Sequence, residues 1–184
     1  VVLFRTECPI PLDKLIIGLN GALPASLRVS RAEEAEAGFH PCFSSRGKHY
    51  RYLFRFVKTR SPFLERFFWQ IEDKLDIVKM QSAAKVFIGE HDFAAFAKSP
   101  QKYESTVRNI LETSVTLEGE LIVFDVIGTG FMHNMVRNMA QALYLVGKNE
   151  MDESEINELY RNHNRRRLGA PAPPGGLYMM RVMY

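Results

Sequence analysis

Cysteine is scarce in this chain: Cys8 and Cys42 are the only two in 184 residues. That excludes a disulfide framework or a cysteine quartet around zinc, and it suits a reducing, cytoplasmic setting. The other metal-ligating residues are equally sparse in pattern. His133 has no second ligand one helical turn on, and His40, His49 and His91 form no metal spacing with either cysteine, so no metal site is expected. Long apolar runs are missing too. No segment approaches the length of a membrane span, and no signal-peptide pattern is present, so no membrane partner is expected. Charge of one sign does not dominate: 24 Lys and Arg face 21 Asp and Glu, a net charge of +3. Such a balance permits a polyanionic partner without requiring one. No repeat at solenoid period occurs. What remains is ordinary globular material, 46% hydrophobic and 24% charged, and the expectation is a single module spanning 1–184, built as one domain or as two small halves of one sheet.

The most informative stretch is Gly130-Phe131-Met132-His133-Asn134-Met135-Val136-Arg137-Asn138-Met139. It follows the apolar run Leu121 to Val126 and reads as the opening of an amphipathic helix. Met135, Met139, Leu143 and Val146 recur at spacings of four, four and three, which stacks them on one face. His133, Arg137 and Gln141 lie four apart on another face. An arginine near a helix N-terminus is badly placed for the helix dipole, which favours acidic groups there. A solvated surface arginine is one reading. The other is a guanidinium built to grip a carboxylate or phosphate through paired hydrogen bonds.

In chain order, Val1 to Thr6 reads as a strand already under way, without an initiator Met, as if a piece of the protein lay upstream. Leu12 to Leu23 has helical periodicity with Asp13 in its first turn, and Pro24 ends it. Leu27 to Glu36 alternates weakly and is predicted as a strand. His40 to Ser44 is predicted as a loop. His49 to Val57 is a strand rich in aromatic and branched residues. Phe67 to Trp69 is a short one. Leu75 to Ile88 is predicted helical, and Gly89 to Phe93 a tight turn that breaks it. Val107 to Leu117 and Leu121 to Ile127 form a hairpin about Glu118-Gly119-Glu120. A helix over Glu153 to Tyr160 starts from an Asp152 cap, and Leu177 to Met183 closes the chain as a strand. The tally is α+β: a mostly antiparallel sheet with helices packed on one face.

Four stretches in order resemble the TruA-type tRNA pseudouridine synthases. Lys48-His49-Tyr50-Arg51-Tyr52 resembles that family's basic-Tyr-Arg-Tyr strand. Gly89-Glu90-His91-Asp92-Phe93 resembles its Gly-x-His-Asp-Phe turn. Phe131 to Asn138 resembles its Phe-x-His-His-Met-Val-Arg-Asn helix start, and Ala170-Pro171-Ala172 through Gly176-Leu177-Tyr178-Met179 its Ala-Pro-x-x-Gly-Leu-Tyr-Leu closing strand. The opening residues and Leu19 to Pro24 resemble the stretch just beyond the family's active-site loop. The resemblance implies a pseudouridine synthase-like fold and isomerisation of uridine to pseudouridine in the tRNA anticodon arm, without a cofactor. It also implies a homodimer with a basic cleft. The family's nucleophile is an aspartate in a Gly-Arg-Thr-Asp-x-Gly-Val-His loop. Aligned, that loop falls a handful of residues before Val1. The resemblance therefore implies the C-terminal, greater part of such an enzyme, inactive without its upstream Asp.

Carried over residue by residue, the resemblance makes Arg137 the partner of that aspartate. Tyr50 becomes the ring expected to stack on the target uracil. Tyr50 and Tyr52 share a face by alternation, so periodicity leaves both open and only motif order favours Tyr50. Leu177 resembles the apolar residue closing the base pocket, with plain core packing as the alternative. Asp92 is read as a turn-bonding residue rather than a substitute nucleophile. For tRNA contact the candidates are Arg46, Lys48, Lys98, Lys102, Arg108, His133 and the run Arg165-Arg166-Arg167, Arg108 ranking first. The sequence also departs from the family pattern. Cys42 stands where an Arg is usual, Asn134 replaces the second His, and Gln141 replaces a small Gly. Two rival readings stay open: a catalytically dead RNA-binding module on the same scaffold, and a small-molecule-binding α+β domain.

Overall fold

The computed structural model describes residues 1–184. The chain divides into two compact units, Val1–Ser45 and Arg46–Tyr184.

The first unit holds one helix, α1 (Leu12–Ala22), with Asp13 in its first turn. The Leu23 N–H returns to the Leu19 carbonyl at 2.9 Å, and Pro24, lacking an N–H, stops the helix. The Asn20 side chain brackets the extended chain beyond it, donating to the Val29 carbonyl and accepting from the Val29 N–H at 2.9 and 2.8 Å. His40 organises the loop His40 to Ser44: its Nδ1 accepts from the N–H groups of Cys42 and Phe43, and its ring stacks on Phe43. The strands predicted over Val1 to Thr6 and Leu27 to Glu36 do not form. Branched side chains favour a strand only where a neighbour pairs with it, and these two segments pair with none.

The second unit is built on a six-stranded sheet. Its strands are β1 (Gly47–Phe56), β2 (Trp69–Ile71), β3 (Gly89–Asp92), β4 (Val107–Glu118), β5 (Leu121–Gly128) and β6 (Leu177–Met183). The order is β2-β1-β5-β4-β3, and β6 pairs with the first half of β1 beside β2. Every pairing is antiparallel except that of β1 with β2. Gly89 to Phe93 is thus not simply a tight turn. Gly89 adopts φ 105, which glycine tolerates, and residues 89–92 continue as an edge strand paired to β4.

The pleat sorts the sheet into two faces. Tyr50, Tyr52 and Phe54 stand opposite Val126, Phe124 and Ile122 and face the core. Arg51, opposite Asp125 on the other face, grips that carboxylate through two bonds of 3.0 and 2.9 Å, and His49 adds a third at 2.6 Å.

Helices α2 (Ile77–Lys85), α3 (Met135–Gly147) and α4 (Glu153–Asn162) complete the unit. The register of α2 on β4 is set by two polar bonds. Thr113 Oγ1 donates to the Ala84 carbonyl at 2.7 Å, and Gln81 donates to the Val115 carbonyl at 3.0 Å. Met135, Met139, Leu143 and Val146 are buried in α3 as their spacing predicts, against Met80, Ala83, Phe87 and Phe124 of one continuous core. Asp152 caps α4 in a full capping box with Glu155. The result is an α+β fold with its helices on the core face of a mostly antiparallel sheet.

Candidate active site

The polar stripe read across His133, Arg137 and Gln141 is broken at its start. Asn134 takes a left-handed conformation, φ 63, and caps α3, so His133 lies outside the helix. Asparagine is among the few side chains that visit this region readily. The bend carries Phe131 to Asn134 across the end of the sheet.

That segment is fixed at both ends of one residue. The His133 N–H donates to the Tyr103 hydroxyl at 2.9 Å, and its carbonyl accepts from the Lys98 N–H at 2.9 Å. Behind it, Phe131 meets the Tyr50 ring edge to face, with centroids 5.0 Å apart.

Between these elements lies a cavity of about 380 Å³. Tyr50 from β1, Phe131 to Asn134 from the bend, Arg137 from α3, and Pro174 and Leu177 from the segment entering β6 line it. Three candidates named from distant parts of the sequence, Tyr50, Arg137 and Leu177, therefore share one cavity, with His133 on its rim. Burial pushes the Tyr50 phenol above its ordinary value, so the ring presents a neutral hydroxyl at physiological pH.

Arg137 is half-buried and held from two sides. Its Nε donates to the Ala172 carbonyl at 2.6 Å and its Nη1 to Asn134 Oδ1 at 3.2 Å. Ala172 returns the contact, its N–H donating to the Arg137 carbonyl at 3.3 Å. No carboxylate of these residues pairs with Arg137. The aspartates in question are engaged elsewhere: Asp125 with Arg51 and His49, and Asp92 with His163. Asp92 also accepts from the Ala94 N–H and the Thr106 hydroxyl, the turn-bonding work expected of it. A guanidinium on a cavity wall with donors to spare is a ready site for an anion.

Tyr52 is fully buried, and its hydroxyl donates to the Pro173 carbonyl at 2.7 Å. Burial raises its phenol strongly, and the positive charge of nearby Arg137 pulls it partly back. Periodicity could not separate the two tyrosines; depth does. Tyr50 stands at the cavity, while Tyr52 anchors the segment that closes it. Close packing of that segment needs Gly176, where a Cβ would sit 2.7 Å from the Leu53 carbonyl and 2.8 Å from the Tyr52 ring.

The remaining candidates do not line the cavity. Lys98 is exposed beside His133. Arg108 folds back onto the Ser105 and Val107 carbonyls, stands over the Tyr103 ring at 5.8 Å, and has Gly130 beside it. Lys48 lies two residues before Tyr50 on β1, opposite Gly128. The run Arg165 to Arg167 is split by the fold. Arg167 is engaged by Glu155 and the Glu150 carbonyl, Arg165 reaches the Ala97 carbonyl, and Arg166 stays exposed. Sequence reasoning missed Phe131 and Pro174 as lining residues and the Ala172 carbonyl as a clamp. The Ala170-Pro171-Ala172 stretch was the signal available for the last of these.

A family model described as tRNA pseudouridine synthase matches residues 83–184. Among similar proteins, the tRNA pseudouridine synthase A of Pelobacter propionicus is 40% identical over 184 residues, covering 100% of this chain and 75% of the relative. That of Geotalea uraniireducens is 39% identical with the same coverage. That of Thermoanaerobacter sp. is 33% identical over 181 residues, covering 98% of this chain and 74% of the relative.

Proposed function

Because this chain belongs to the tRNA pseudouridine synthase family, whose members are isomerases, we propose that its cavity receives a uridine of the tRNA anticodon arm and converts it to pseudouridine. The observation that carries this reading is the meeting of Tyr50 and Arg137, from a strand and a helix 87 residues apart by number, on one cavity. The reaction breaks the bond from C1′ to N1 of the uracil, turns the base, and joins C1′ to C5. The proton on C5 leaves and N1 gains one, so the product is an isomer and no cofactor is consumed. Tyr50 is the ring on which the flipped base stacks, and Leu177 closes the pocket over it. Arg137 holds the nucleophilic carboxylate ionised and aimed at C1′.

That carboxylate comes from a Gly-Arg-Thr-Asp segment outside these 184 residues, and the chain is inactive without it. The matched relatives run through both compact units, which act as one module. Lys48, Lys98, Arg108 and His133 bind the tRNA backbone, where basic side chains give salt-sensitive affinity. The enzyme works in the cytoplasm as a homodimer, for which exposed Met179 and Met180 on β6 offer apolar surface.

The test is release of tritium from tRNA carrying C5-tritiated uridine. A longer chain containing the Asp segment should release it, and the 184-residue chain should bind tRNA without release. Tight tRNA binding by the longer chain with no release overturns the isomerase reading in favour of a binding module.

A further inference from the structure

Asn134 sits against Arg137, the cation of the cavity wall. Asn134 does two things there. Its left-handed backbone turns the chain from the cavity wall into α3, and its Oδ1 accepts from Arg137 Nη1 at 3.2 Å. The Ala172 carbonyl takes Nε at 2.6 Å. A planar guanidinium held at Nε and at one Nη1 hydrogen cannot swing about its own stem. The second Nη1 hydrogen and both Nη2 hydrogens remain for an anion.

We infer that Asn134 is a positioning residue for this reaction, fixing the plane of the Arg137 guanidinium so that its unused donors meet the nucleophilic carboxylate. The inference rests on the isomerase reading for its kinetic consequence, but the clamp itself is a property of the 184-residue chain. An amide suits the task because it accepts a hydrogen bond at every pH in the working range. An imidazole accepts only while neutral. An amide also adds no negative charge to compete for Arg137.

Two substitutions separate the roles. Asn134→Gly keeps the left-handed backbone, which glycine adopts freely, and removes the side chain with its acceptor oxygen. Asn134→Asp keeps the conformation and an acceptor but places a rival carboxylate beside Arg137. In the longer, active chain, Asn134→Gly should lower kcat about 10- to 100-fold, as for a lost hydrogen bond to a charged group, with KM within about twofold. Asn134→Asp should lower kcat further, because its carboxylate occupies the donors meant for the nucleophile. A wild-type kcat in Asn134→Gly, or an Asn134→Asp enzyme as active as wild type, overturns the proposal.

A second measurement needs no turnover. In the 184-residue chain, nitrogen-15 NMR of the Arg137 side chain should show slow rotation of the guanidinium, clearly faster in Asn134→Gly. Equal rotation in both refutes the clamp even if the longer chain proves to be an active isomerase. A slowed guanidinium in a longer chain without activity would instead fault the isomerase reading.

Discussion

Removing a phenol oxygen at two positions on the same face of β1 should have unequal consequences for stability. Tyr52 is fully buried, and its hydroxyl has one protein partner, the Pro173 carbonyl at 2.7 Å. Tyr50 is half-buried at the cavity, and its hydroxyl makes no hydrogen bond within the protein. Tyr52→Phe leaves ring packing against Phe54 and Trp69 intact and deletes one neutral bond. A bond of that kind contributes about 0.5–1.5 kcal/mol net. Pro173 is only half-buried, so water can reach its freed carbonyl, and the cost should stay near the middle of that range, about 1 kcal/mol. For a chain of this size that is roughly 2–4 °C in Tm. Tyr50→Phe should change stability by less than about 0.5 kcal/mol, as for other substitutions that break no buried contact. Urea titration followed by fluorescence reads both variants. The probe is Trp69, the single tryptophan, which lies 4.4 Å from the Tyr144 ring. If both substitutions cost the same, or Tyr52→Phe costs nothing, the assignment of one tyrosine to the cavity and the other to the anchor is wrong.

Two further expectations concern other parts of the second unit. Gly176→Ala places a methyl 2.7 Å from the Leu53 carbonyl, backbone that cannot yield cheaply, and should cost about 1–3 kcal/mol in urea titration, as overpacking does; wild-type stability would show that the closing segment can shift. Near α4, the bond from Arg167 to Glu155 holds that carboxyl below its ordinary 4.5. A depressed carboxyl contributes stability above its unfolded value and loses it as pH falls through the folded one. Glu155→Gln should therefore weaken the fold at neutral pH and flatten the decline of the urea midpoint below about pH 4.5; an unchanged acid limb refutes the pairing.

The legible parts of the fold were those where local chemistry and tertiary packing agree. The period of Met135, Met139, Leu143 and Val146, the Asp152 capping box and the hairpin about Gly119 all encode their own geometry. Val1 to Thr6 and Leu27 to Glu36 misled because strand propensity reports a neighbour that has to exist elsewhere in the fold. Glu90-His91-Asp92 hid a strand because a polar edge strand shows no alternation against a core. Of the candidate site, the resemblance singled out Tyr50, Arg137 and Leu177, which line one cavity. Its clamps were not legible: a backbone carbonyl such as that of Ala172 has no signature in a sequence, and the left-handed turn at Asn134 separated His133 from the helix its spacing suggested.

The clamp from Ala172 and Pro173 onto Arg137 and Tyr52 has a temporal side. The Tyr52 and Pro173 partners lie 121 positions apart, so making this contact closes a long stretch of intervening chain. Such long-range closure is intrinsically slow. The hairpin of β4 and β5, whose strands follow one another directly in the chain, can thus form before the strut that braces the cavity wall.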